Sequence, residues 1–144
     1  MFSKACVYGI RASIYIAAQS LKNNRVGLIS IAENIETPEA FTAKILQQLV
    51  KAGIVDSIKG PTGGFLIDKS RIDDIRLSEI VDSLDGNDIY KGCGLGLTEC
   101  NSLKPCPVHD KFAAIRNDLK NMLQDTSLYE LATGVDVGLT FLKR

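Results

Sequence analysis

The chain has 144 residues and a mass of 15.7 kDa, the size of one domain or of a small domain with a helical arm, which excludes two full-sized enzymatic domains. Hydrophobic residues make up 45% and charged residues 24%, a balance that excludes wholesale disorder and collagen-like or low-complexity chains. Seventeen basic and seventeen acidic residues give zero formal charge, which at first argues against a nucleic-acid partner.

The charge is unevenly spread. Residues 1–60 carry seven basic groups (Lys4, Arg11, Lys22, Arg25, Lys44, Lys51, Lys59) against four acidic ones (Glu33, Glu36, Glu39, Asp56), and residues 61–144 carry ten against thirteen, so the halves are +3 and −3. The asymmetry permits a basic N-terminal face; a solvated surface without a partner would look the same. There is no apolar run of about 18 residues and no signal-peptide pattern at Met1-Phe2-Ser3-Lys4. The expectation is a cytoplasmic protein without a membrane partner, whose four cysteines are thiols or metal ligands rather than structural disulfides.

From Ala5 to Leu21, Val7, Ile10, Ile14, Ala17, Ala18 and Leu21 recur at helical spacing, and Tyr8, Ala12, Tyr15 and Ile16 make the other side apolar too. Such a helix needs partners on two sides. After the polar break Lys22-Asn23-Asn24-Arg25, Ser30 followed by Glu33 fits a capping box opening a short helix to about Ile35. Thr37 then fits an N-cap with Pro38 at the first helical position. That helix runs to about Ala52 and stops at Gly53. Phe41, Ile45, Leu46 and Leu49 face inward, and Glu39, Thr42, Ala43, Lys44, Gln47, Gln48 and Lys51 face outward. A short helix, a tight turn and a longer helix with a polar face suggest a helix-turn-helix.

Ile54, Val55 and Ile58, the turn-rich Gly60-Pro61-Thr62-Gly63-Gly64, and Phe65-Leu66-Ile67 spell a β-hairpin with Lys59 entering its tip. A hairpin directly behind a helix-turn-helix is the wing of a winged helix, whose second helix lies in the DNA major groove. Leu77 to Leu84 reads as a further short helix capped by Ser78 and ended by Asp85-Gly86. Phe112, Ile115, Leu119, Met122 and Leu123 give a helix over about 110–124. Ser127 and Glu130 form another capping-box signature, after which Gly134 and Gly138 argue against continued helix.

Between these helices runs a glycine-rich loop with Cys93, Cys100 and Cys106, and the only histidine, His109, follows in the pattern C-x6-C-x5-C-x2-H. Thiolates select zinc, copper(I) or iron–sulfur clusters, and imidazole is compatible with all three. Zinc sites usually show two tight pairs of ligands, whereas these cysteine gaps are wide. Wide gaps suit a chain wrapped around a larger object, and a [2Fe-2S] cluster takes four protein ligands, two per iron. The loop is too polar to be core. Cys6, alone on the apolar first helix, reads as a small hydrophobe.

These residues resemble the Rrf-type winged-helix transcription regulators, which include IscR-like and NsrR-like iron–sulfur regulators. The resemblance is carried by Tyr8 to Ala12, by Thr37-Pro38-Glu39-Ala40-Phe41 leading through Lys44-Ile45-Leu46-Gln47-Gln48-Leu49-Val50-Lys51-Ala52 to Gly53, by the wing Lys59-Gly60-Pro61-Thr62-Gly63-Gly64-Phe65, and by the cysteine loop. It implies a homodimer packed through the helix after the loop, with the first helix in support. It also implies a [2Fe-2S] cluster on Cys93, Cys100 and Cys106, with His109 matching the fourth ligand of IscR-like members. The first cysteine gap is one residue longer than in IscR. NsrR-like members take a carboxylate from the start of the partner's first helix, and Cys6-Val7-Tyr8 offers none. On the DNA side Phe41 matches a family aromatic, Lys59 a basic wing residue, and Ala43 stands where IscR has a glutamate. Thr42, Lys44 and Gln47 are therefore expected to read bases, with Lys51, Lys59 and Thr62 on the backbone side.

The resulting expectation is a mainly α protein with no enzymatic activity and no small-molecule substrate. Residues 1–85 form a winged helix-turn-helix DNA-binding domain, 86–109 a cluster-binding loop, and 110–144 a dimerisation helix and C-terminal segment. Its function is a homodimeric regulator that binds a two-fold-symmetric double-stranded operator and senses redox, nitric oxide or iron–sulfur status through a [2Fe-2S] cluster. One alternative is a winged-helix regulator using its cysteines as redox thiols or zinc ligands. Another is a small electron-transfer protein, for which a capped helix-turn-helix and wing have no use.

Overall fold

The computed structural model describes residues 1–143. Helix α1 spans Lys4–Leu21 and is the hub of the molecule, packing against α2 (Leu28–Ile35), α3 (Glu39–Lys51), α5 (Leu77–Asp85) and α7 (Leu128–Asp136). Its all-round apolar sequence finds the two-sided burial it demands: Cys6, Ala12, Ile14, Ile16, Ala17 and Ala18 are all in the core. Val7, by contrast, lies on the outside. Ser3 caps the helix by accepting from the Cys6 N–H at 3.1 Å, and its own N–H donates to Asp85 at 2.9 Å, which pins the start of α1 to the end of α5.

Helix α2 is preceded by Gly27, not capped by Ser30. Ser30 sits inside the helix with its hydroxyl 3.0 Å from the Tyr15 hydroxyl, so the expected capping box is replaced by a tie to α1. The chain leaves α2 through Glu36 in the left-handed conformation (φ 55°). Pro38 rather than Thr37 then flanks α3, and the Thr37 hydroxyl is turned inward without a partner. The end of α3 is as expected, with Gly53 at φ +76° allowing the chain to reverse.

Strands β1 (Asp56–Ile58) and β2 (Gly64–Leu66) pair antiparallel, with Ser57 opposite Phe65. Val26, between α1 and α2, adds a third short rung: its N–H donates to Phe65 O at 3.1 Å and its carbonyl accepts from the Phe65 N–H at 2.8 Å. A one-turn helix, α4 (Lys69–Ile72), follows the wing. At the start of α5 Ser78 is not the cap. Arg76 flanks the helix and its N–H donates to the Glu79 carboxylate at 2.6 Å, half of a capping box displaced by two residues.

Helix α6 (His109–Asp125) leaves most of its apolar stripe uncovered. Only Leu123 is fully buried; Ile115 is 62% exposed and Met122 46%. The last helix, α7, runs through Gly134, contrary to the sequence reading. Ser127 caps it by accepting from the Glu130 N–H at 3.1 Å, and burial of Leu128 and Ala132 against α1 outweighs the propensity cost of about 1 kcal/mol for one glycine. The starts of α5 and α7 are stitched together: the Leu77 N–H donates to Thr126 O at 2.9 Å and the Leu128 N–H to Ile75 O at 2.8 Å. Everything between, including the cysteines and α6, is an excursion closed at this neck. No described helix is long and apolar enough to cross a membrane.

Candidate DNA interface and cysteine site

Helix α3 and the wing form the two walls of an open cleft of about 440 Å³. Ala43, Gln47 and Lys51 line it from the helix, and Ser57, Lys59 and Phe65 from the hairpin. Lys44, Gln47, Lys51, Lys59 and Thr62 are exposed, and Ala43 is half-buried. Phe41 packs edge-on against Tyr8 of α1 at 5.7 Å between ring centroids, which fixes the tilt of α3 on the hub. The small side chain at 43 leaves room in the cleft where a glutamate would project a negative charge between two lysines.

Thr42 does not belong to this surface. It is fully buried, and its hydroxyl donates to Pro38 O at 2.9 Å. A threonine can satisfy its hydroxyl on the preceding helical turn and bury its methyl, so its polarity does not require an outward position. The reading of Thr42 as a base contact is therefore corrected. Thr42→Val, which keeps the shape, is expected to leave DNA affinity within about twofold of wild type, whereas Gln47→Ala lowers it and relaxes base preference. Fluorescence anisotropy on matched and mutated duplexes checks both.

In the wing, Gly63 and Gly64 allow two close backbone approaches. A Cβ on Gly63 would lie 2.0 Å from Ile58 O, and one on Gly64, at φ +143°, would lie 2.9 Å from Val26 O. The turn itself is closed by the Gly63 N–H donating to Gly60 O at 3.0 Å.

The cysteine loop opens with a short turn, Asp88–Tyr90, that packs against α6. The Tyr90 hydroxyl donates to Asp82; burial and then that carboxylate push its pKa up to about 12. Beyond it the four expected ligands fall into two pairs. Cys93 has Cys106 as a hydrogen-bonding neighbour, and the backbone N–H groups of Leu95 and Leu97, with lesser help from Cys106 and the Gly96 N–H, hold its thiol below the ordinary value against a smaller opposing push from desolvation. The Cys100 Sγ lies 3.4 Å from His109 Nδ1 and accepts from the Arg116 guanidinium at 3.1 Å. Among the described residues no three His, Cys, Asp or Glu side chains converge on a point able to hold one metal ion. The donor arrangement is thus two twos rather than the single tetrahedral set that the count of four suggested.

Arg116 was not picked out by sequence reading, although it lies two turns beyond His109 on α6 and so on the same side. Gly94 is a second such residue: a Cβ there would meet the Phe112 ring at 2.5 Å, so only glycine lets the loop lie flat on α6. Cys6 stands apart. It is fully buried in the core, and burial followed by Asp85 pushes its thiol up to about 12, which fits packing and not ligation.

A family model described as Rrf2, iron-dependent transcriptional regulator, matches residues 2–134. The chain is 26% identical over 124 residues to the HTH-type transcriptional regulator IscR of Vibrio atlanticus, covering 86% of this chain and 70% of that one. Among solved structures it is similar to CymR, the global cysteine regulator of B. subtilis, with a TM-score of 0.76 and 26% identity over 92% of this chain and 96% of that one. T. potens IscR shares the fold with a TM-score of 0.73 at 20% identity, covering 97% and 91%. The hairpin behind a helix-turn-helix, the buried hub helix and the family match through residue 134 agree, and the chain belongs to the Rrf2 family of winged-helix, DNA-binding transcriptional regulators and is not an enzyme.

Proposed function

We propose that this regulator is a homodimer holding a [2Fe-2S] cluster on Cys93, Cys100, Cys106 and His109, with the state of the cluster setting its affinity for a two-fold-symmetric operator. The observation that carries this reading is the pairing of Cys93 with Cys106 and of Cys100 with His109, because a [2Fe-2S] centre takes two protein ligands at each iron whereas one zinc ion takes all its ligands at a single point. The surroundings fit a group of net negative charge. Arg116 faces the Cys100 sulfur and three backbone N–H groups face the Cys93 sulfur, donors that favour thiolate over thiol. When bound, the cluster supplies one-electron redox chemistry and sensitivity to oxidants.

The chain's own residues would link that chemistry to DNA. His109 is the first residue of α6, so a ligand bond at its ring acts directly on the start of that helix. The uncovered Ile115 and Met122 on α6 suit a second copy of the chain, where a two-fold interface would set the spacing of the two α3 helices against half-sites. IscR, among the relatives, favours the cluster; CymR, named a cysteine regulator, favours a second reading in which the same cysteines act as thiols.

Anaerobic purification with iron and sulfide analysis, light scattering for the dimer, and DNA retardation on the gene's own upstream region test the reading together. The expected result is a coloured dimer whose loaded and stripped forms differ in DNA affinity. A colourless protein without iron or sulfide after reconstitution would establish the thiol reading instead, and equal affinities would remove the switch while leaving DNA binding intact.

A further inference from the structure

Arg25 lies in the polar break between α1 and α2, outside both the recognition helix and the wing. Its guanidinium nevertheless reaches the wing tip, donating to Thr62 O at 3.1 Å. The approach is held by the neighbouring rung, since Val26 exchanges both backbone hydrogen bonds with Phe65 and its carbonyl fills the space that Gly64 leaves empty. The side chain is exposed and makes no ion pair among the described residues. One of its N–H groups is used on Thr62, so the rest of the planar fork is available to a ligand.

The charge around it has one sign. From Asp56 to Leu66 the hairpin holds a single carboxylate, Asp56, at its base, and that group faces Arg71 at 3.6 Å. The tip itself presents Lys59 and no acid. We propose that Arg25 is a DNA-contacting residue, a cation carried on the side of the wing that holds an operator phosphate while its bond to Thr62 O fixes the wing tip. The bond to the carbonyl limits the rotamers of the long side chain before DNA arrives, so less freedom is lost when a phosphate is engaged. The wing then meets the backbone with two cations, Lys59 from the hairpin and Arg25 from outside it. The proposal rests on DNA binding by the winged helix.

The test separates charge from bracing. A duplex is first selected from a random-sequence pool by the wild-type protein; failure to recover any duplex would count against DNA binding itself. Affinity of that duplex is then measured by anisotropy between about 50 and 200 mM salt for wild type, Arg25→Gln, Arg25→Lys and Arg25→Ala, with thermal melting to confirm folding. Arg25→Gln keeps a donor for Thr62 O but no charge, and is expected to lower the slope of log K against log salt by about 0.9 for each subunit bound, with a several-fold loss of affinity at low salt. Arg25→Lys is expected to retain the slope with weaker binding. Wild-type slope and affinity in Arg25→Gln would overturn the proposal. So would a loss of affinity in Arg25→Ala with the slope unchanged, because a residue that only braces the wing does not alter counterion release.

Discussion

Replacing any one of Cys93, Cys100 or Cys106 with serine is expected to bring bound iron, bound sulfide and visible absorbance down to background after anaerobic reconstitution. A hydroxyl is a hard, poorly acidic donor, and one missing thiolate leaves one metal of the pair short of a ligand. The same substitution at Cys6 is expected to leave iron content unchanged and to show itself as a lowered melting temperature, because it places a hydroxyl in an apolar core. His109→Cys should retain iron and slow its loss as pH falls, since imidazole binds metal only when deprotonated and competes with protons near its ordinary pKa. Full iron content in the Cys106→Ser protein would contradict the four-ligand assignment. Helical content is expected to stay near wild type in every loop variant, because the three cysteines are only half-buried and none belongs to the core.

Gly63→Ala is expected to weaken DNA binding at least about tenfold, equivalent to about 1.4 kcal/mol, while shifting the thermal midpoint little. The added methyl carbon would lie 2.0 Å from a backbone oxygen of the same hairpin, and backbone cannot step aside as a side-chain end can. The tip must open, which moves Lys59 away from Lys51 across the cleft. The body of the protein is insulated from that change because β1 is wholly exposed and the core is built on α1. Gly60→Ala provides the comparison: its φ of +105° carries strain of about 1–3 kcal/mol, but a methyl there meets open space. Its effect on affinity is therefore expected to be smaller. Retardation assays with circular dichroism in parallel read both quantities, and an unchanged affinity for Gly63→Ala would mean that the wing does not touch DNA.

The parts of the fold that the sequence spelled out are those where one residue type has few conformational choices. Gly53 ends α3, the glycine-rich tip makes a hairpin, and the spacing of Ile45, Leu46 and Leu49 sets the inner face of α3. Capping was less legible, because serine and threonine can bond to many partners: Ser30 found Tyr15, Thr37 turned inward, and Thr42 bonded to the preceding turn. Gly134 was misread because a propensity cost of about 1 kcal/mol is small beside the burial of a helix face. At the cysteine loop the four donor residues were visible from composition and spacing. Their division into pairs was not, since it depends on which loop residue returns to the start of α6. Arg25 and Arg116 were invisible for a related reason: each acts on a partner distant along the chain, and a lone arginine in a polar segment has no periodicity to mark it.

The stitched neck at Ile75, Leu77, Thr126 and Leu128 has a consequence for tolerance to insertion. Because the ends of the excursion are joined by backbone bonds of their own, its closure entropy is met by the fold and not by the ligands, and that entropy changes by only about 0.6 kcal/mol for each doubling of length. The extra residue between Cys93 and Cys100 is therefore thermodynamically minor. The donors also stay tethered within one short ring when iron is absent, at high mutual concentration, so that reloading starts from a closed loop rather than an open strand.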